Sequence, residues 1–109
     1  MRIFVPVAII LVTMALAGCV TANPIDESQF RGFCYQTDTG KELCDNVSIC
    51  NQYLPIMNQP QQDQAQCLKA CQDVDESFYM ANTMNACQNV VDSGRDWCQR
   101  YCRQTYPQK

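Results

Sequence analysis

The sequence predicts an all-α fold: a small disulfide-rich bundle of about four short helices, with a stapled antiparallel helix pair and an irregular N-terminal loop. Three observations predict it. The chain has nine cysteines in 109 residues, eight of them beyond the apolar N-terminal run that ends near Cys19. An even count in a short chain that follows such a leader reads as a disulfide framework. Two pairs, Cys67 with Cys71 and Cys98 with Cys102, have C-x3-C spacing, which sets both sulfurs on one helical face a turn apart. Apolar residues also recur at helical intervals between these pairs.

The N-terminus reads as an address. Met1 and Arg2 give a positive start, and Ile3 to Ala17 runs without a charge and ends in small residues. That layout resembles a signal peptide. The charge-free stretch reaches Ala22, close to the length that spans a bilayer. Pro6 near its start, and the lack of a basic cluster after it, argue against a retained membrane helix. Two processing readings stand side by side. Val20-Thr21-Ala22 before Asn23 puts small residues where signal peptidase needs them, which makes residues 1–22 the signal peptide and removes Cys19 with it. Leu16-Ala17-Gly18-Cys19 instead resembles the lipobox of bacterial lipoproteins. On that resemblance residues 1–18 are removed, Cys19 is the lipidation site, and two acyl chains hold the protein at a membrane. Cleavage after Ala17 would leave Cys19 as an odd thiol. Both main readings leave eight cysteines to the domain, so parity does not separate them. The domain itself favours secretion, because small eight-cysteine helical proteins are commoner among secreted animal peptides than among bacterial lipoproteins.

Residues 23–33 are polar, acidic and short of apolar content, and read as a leader or tether. The disulfide-rich helical domain is then 34–109. Cys34 to Cys44 contains the turn-forming group Asp38-Thr39-Gly40 and reads as a hairpin or irregular loop. Leu43, Val47, Cys50 and Leu54 recur at helical spacing and predict a helix over 42–54, closed by Pro55. Asn58 to Gln66 is glutamine-rich and reads as the solvated start of a second helix, with Pro60 in its first turn. That helix carries Cys67, Leu68 and Cys71 and fades near Asp73. Asp75 starts a third with acidic residues in its first turn. Ser93-Gly94-Arg95-Asp96 ends the third and caps a fourth over 94–105, with Pro107 beyond its end. No dibasic pair occurs, so the chain does not look like a prohormone cut into several peptides.

About 85–90 residues follow the leader, enough for one domain that is only marginally stable unaided. Each bridge contributes roughly 2–4 kcal/mol, so four would dominate the stability of so small a core. Zinc sites favour C-x2-C pairs and often histidine. Here the close pairs are C-x3-C and histidine is absent, so no metal or other cofactor is expected. The missing histidine also removes haem attachment and Cys–His nucleophilic pairs. Asp73, Asp75 and Glu76 form an acidic cluster, but helix caps and solvated faces explain such groups, and no Ser/His/Asp set or phosphate loop accompanies them. The chain is therefore read as a non-enzyme. A net charge of −3 and a pI near 4.6 leave no basic stripe for a nucleic-acid backbone.

Two C-x3-C helices packed antiparallel join by Cys67–Cys102 and Cys71–Cys98, and a parallel pair joins by Cys67–Cys98 and Cys71–Cys102. We favour the antiparallel set. This resembles the stapled helical hairpins of some small toxins and plant defence peptides, with a much longer intervening segment here. Cys34, Cys44, Cys50 and Cys87 must tie the N-terminal part to the helix around Cys87, by a pairing the sequence leaves open. The last helix gathers Arg95, Trp97, Arg100, Tyr101, Arg103 and Tyr106, residue types common at binding hot spots. The competing reading is that these rings shield the disulfides and the arginines suit the helix C-terminus. The precursor layout resembles that of venom peptides and secreted signals. That resemblance implies a secreted, extracellular binding protein acting on a receptor, channel or protease. The alternative is a bacterial lipoprotein with a structural or interaction role in the envelope, membrane-bound only if Cys19 is acylated.

Overall fold

The computed structural model describes residues 23–40, 43–80 and 84–108. The signal-peptide segment and Cys19 lie outside these residues. Among the described residues every regular element is helical, as the cysteine spacing predicts.

Helix α1 (Glu27–Tyr35) forms within the segment expected to be a tether. Its start is a capping box: the Asp26 side chain accepts from Gln29 N at 2.8 Å, and Gln29 Oε1 accepts from Asp26 N at 3.1 Å. Glu27 suits the positive end of the helix dipole and pairs with Arg31 one turn on. Phe30 and Cys34, four residues apart, face inward and are fully buried. The packed domain thus begins ahead of Cys34.

Helices α2 (Asn46–Asn51) and α3 (Leu54–Asn58) replace the single helix expected over 42–54. Asp45 caps α2 by accepting from Ser48 N at 3.0 Å. Pro55 does not close a helix. It stands in the first turn of α3, where its missing N–H breaks no intrahelical bond. Pro60 lies in the connection that follows, and Asp63 caps the next helix by accepting from Gln66 N at 2.8 Å.

Helix α4 (Gln64–Met80) continues through Asp73 and Asp75 without a break, and α5 (Met84–Thr105) continues through Gly94. The two boundaries expected there are absent. The acidic residues of α4 sit in mid-helix, where Lys69 pairs with Asp73 at 3.0 Å and Gln72 Nε2 donates to Glu76 at 2.9 Å. The interruption in α5 is instead at Cys87 (φ −121°, ψ 17°).

Helices α4 and α5 form an antiparallel hairpin joined by Cys67–Cys102 and Cys71–Cys98. Cys34–Cys50 ties α1 to α2, and Cys44–Cys87 ties the segment before α2 to the start of α5. The core lies where α1, α2 and α3 cover the hairpin. Phe30, Tyr53, Leu54, Ile56, Val90 and six half-cystines fill it.

Tyr53 is its central side chain. It is fully buried, meets the Phe30 ring at 6.2 Å between centroids, and donates its hydroxyl proton to Val91 O at 3.0 Å. That bond satisfies a phenol that would otherwise be costly to bury. Burial and the nearby Asp75 carboxylate push the phenol far above its ordinary range. Gly94 makes room for the ring: a Cβ there would lie 2.5 Å from Tyr53 Cε2 and 2.8 Å from Cδ2. Close approach, not helix termination, is what Gly94 supplies.

Candidate binding surface

The rotation of α5 distributes the six candidate residues. At about 100° per residue, Cys98 and Cys102 turn into the core, Arg100 and Arg103 turn to the exposed side, and Trp97 stands at the boundary, packed against the core's edge. The structure brings three of the six onto one face and places the other three elsewhere.

Trp97, Arg100 and Arg103 share the exposed side. The Trp97 ring is half-buried and stacks on Phe33 of α1, with centroids 4.1 Å apart and planes 12° apart. The Arg100 guanidinium lies over the same indole, 4.5 Å from its centroid. Phe33, Trp97 and Arg100 therefore form one stacked group that bridges α1 and α5. Such contacts add about 0.5–1 kcal/mol each at exposed sites. Next to the stack is a shallow depression of about 410 Å³, lined by Asp96, Gln99, Arg100, Arg103 and Gln104. Gln104 Oε1 accepts from Ile25 N at 3.0 Å, which fastens the start of the described chain to this side of α5.

Arg95 leaves that face. Its guanidinium sits among three carboxylates, 3.6 Å from Asp75, 3.4 Å from Asp92 and 3.3 Å from Asp96. Asp75 is almost fully buried and its Oδ1 has no hydrogen-bond partner. Burial raises the Asp75 carboxyl above the ordinary range, against the opposing pull of Arg95. For Arg95, burial lowers the guanidinium pKa and Asp75 raises it, with a net upward shift. This cluster sets one cation against three carboxylates and does not present a free cation.

Tyr101 and Tyr106 form a third group. Their rings meet edge to face at 6.5 Å and 82°. Tyr106 Oη accepts from Gln61 N at 2.9 Å and its carbonyl accepts from Gln64 Nε2 at 3.0 Å. Burial raises the Tyr101 phenol, with Tyr106 adding to it. The Tyr106 hydroxyl and carbonyl dock the α3–α4 connection onto the end of α5.

Phe33 escaped the sequence reading because 23–33 read as a tether. The signal was present in Asp26-x-x-Gln29, a capping-box pattern, followed by Phe30, Phe33 and Cys34 at helical spacing.

Cys71, Cys98 and Cys102 bring three sulfurs within 4.8 Å of one another, and Cys71 Sγ lies 3.5 Å from Cys102 Sγ across the two rungs. Each sulfur is bonded in a bridge, so the oxidised pair offers no thiolate to a metal ion.

Fold and surface together define a small helical domain stapled by four disulfides, carrying an exposed aromatic–arginine face on its α1–α5 side. No family model, curated protein or solved structure matches the chain.

Proposed function

We propose that this is a secreted, disulfide-stabilised binding protein that acts on an extracellular receptor, channel or protease and performs no catalysis of its own. The observation that carries this reading is the Phe33–Trp97–Arg100 stack, displayed on two helices that disulfides hold in place. Side chains fixed before contact lose little entropy on binding, and tryptophan and arginine supply much of the energy at protein interfaces. Four bridges suit an oxidising compartment. No helix of the described residues is long and apolar enough to cross a membrane.

A second reading rests on Leu16-Ala17-Gly18-Cys19. It makes the protein a bacterial lipoprotein tethered through Cys19, with the same domain serving an interaction in the envelope. Intact mass and N-terminal analysis of the natural protein, before and after reduction, separates the two. An N-terminus at Asn23, with a mass change for four reduced bridges, supports secretion. A diacylated Cys19 establishes the lipoprotein and excludes a freely diffusing ligand.

A further inference from the structure

We infer that the face built from Phe33, Trp97, Arg100 and Arg103 is the contact surface for an acidic segment of a partner protein. This rests on the binding reading above and supplies the chemistry of its partner. The charges argue it first. Among the described residues Arg31 pairs with Glu27, Lys69 with Asp73, and Arg95 with Asp75, Asp92 and Asp96. Arg100 and Arg103 are the two described cations that no described carboxylate answers. In a chain of net charge −3, the two stand three residues apart on one face of α5 and share one depression.

The stack argues it second. Arg100 is held against the Trp97 ring at 4.5 Å, so its planar fork is oriented before any partner arrives. A guanidinium so placed donates two parallel hydrogen bonds to a carboxylate. Phe33, 45% exposed, extends the stack into an apolar shelf beside the two charges. The complementary segment carries carboxylates for Arg100 and Arg103 and an apolar side chain to cover Phe33. Asp96, on the rim of the depression, pairs with Arg95 at 3.3 Å, a cation it shares with Asp75 and Asp92, and the depression still sets two cations against this one carboxylate. An anionic membrane is the poorer match. Polybasic membrane sites use clusters of about four to eight lysines and arginines, whereas this face has two in an acidic protein.

Trp97 is the chain's one tryptophan, so its fluorescence reports on this surface directly. The oxidised protein is titrated with a capped Glu-Glu-Leu-Glu-Glu peptide, with the matching lysine peptide, and with phosphatidylglycerol vesicles. The expected result is a saturable change in Trp97 emission with the glutamate peptide alone, weakened by added salt. Arg100→Gln with Arg103→Gln should reduce that affinity by about tenfold or more. Phe33→Ala should reduce it by a smaller factor. Phe33, Arg100 and Arg103 are all exposed, and an unchanged melting temperature checks that each variant folds. A flat titration overturns the inference, as does equal affinity in the double arginine variant. A response to vesicles but not to the glutamate peptide also overturns it and assigns the face to a membrane. The outcome is independent of the mass analysis: a flat titration with an N-terminus at Asn23 removes this surface and leaves secretion standing.

Discussion

At the scale of single residues, two contacts around Tyr53 and Asp75 set the tightest constraints in the domain. Alanine exceeds glycine in helix propensity by about 1 kcal/mol, so propensity alone would make Gly94→Ala stabilising. Packing reverses the sign. The Tyr53 ring that a new Cβ would strike is fully buried and tied to Val91 O, so it has nowhere to swing. Overpacking of this kind costs about 1–3 kcal/mol, and the expected outcome is a net loss of about 1–2 kcal/mol in denaturant unfolding. Tyr53→Leu should remove most of that penalty when combined with Gly94→Ala. The Arg95 cluster gives a prediction in pH. Asp75 is buried with its pKa raised above the usual value near 3.9 by desolvation, and Arg95 works against that rise. A carboxyl raised on folding weakens the fold at neutral pH, and the loss is recovered as pH falls through the folded pKa. Arg95→Gln removes the nearest compensating charge and should destabilise the protein by about 2 kcal/mol at neutral pH. That figure lies below the range for a fully buried pair because the guanidinium is about a third exposed. The deficit should shrink on acidification toward pH 4. A deficit that stays constant or grows would show that Asp75 does not carry it.

At the scale of elements, the α4–α5 hairpin was legible because its constraint is geometric. Cysteines four apart on each helix can meet as two rungs in only two ways, and the antiparallel set is the one the chain adopts. Helix boundaries were less legible, because Gly, Pro and Asp each serve more than one purpose. Gly94 reads as a terminator in sequence yet admits Tyr53. Pro55 reads as a stop yet opens α3, and Asp75 reads as a first-turn acid yet faces Arg95 in mid-helix. The roles of Gly94 and Asp75 were decided by partners distant in sequence, Tyr53 and Arg95, which local periodicity does not see. Helix α1 was missed for another reason: its polar, acidic residues lowered the apolar content of 23–33 and concealed Phe30 and Phe33. The proposed contact face inherited that error, since half of its aromatic stack comes from α1. The staple itself is tested by Cys71→Ala with Cys98→Ala. The outer rung, Cys67–Cys102, already closes the hairpin, so the inner rung shortens an existing loop and contributes about 2–3 kcal/mol. Peptide mapping of this variant should find the other three bridges intact. Scrambled thiols would show that the inner rung directs the pairing of the rest.

At the scale of the whole molecule, the four bridges differ in how the fold shelters them. Cys34, Cys50, Cys67, Cys71, Cys98 and Cys102 are fully buried, whereas Cys44 and Cys87 are only partly covered. The bridge they form sits at the edge of the core, with Cys44 packed against it, and fastens the segment before α2 to the interrupted start of α5. Exchange requires a thiolate or phosphine to reach a sulfur in line with the bond, so access orders the reduction. Three buried bridges open only when α1 or the hairpin opens, which draws on the stability of the core itself. Cys44–Cys87 needs only a local excursion. Under limiting phosphine at neutral pH, with rapid alkylation, Cys44 and Cys87 should be the first labelled pair. The two-thiol species should keep the far-UV spectrum and the Trp97 emission of the parent, because the buried packing of Phe30 and Tyr53, with the Tyr53 hydroxyl on Val91 O, still holds α1 beside α5. Loss of the remaining bridges should then follow together, as one cooperative unit. If Cys34–Cys50 is reduced first instead, α1 is the part of the domain that opens most readily. Phe33 would then leave Trp97 whenever it did so, and the aromatic face would be a transient feature, not a fixed one.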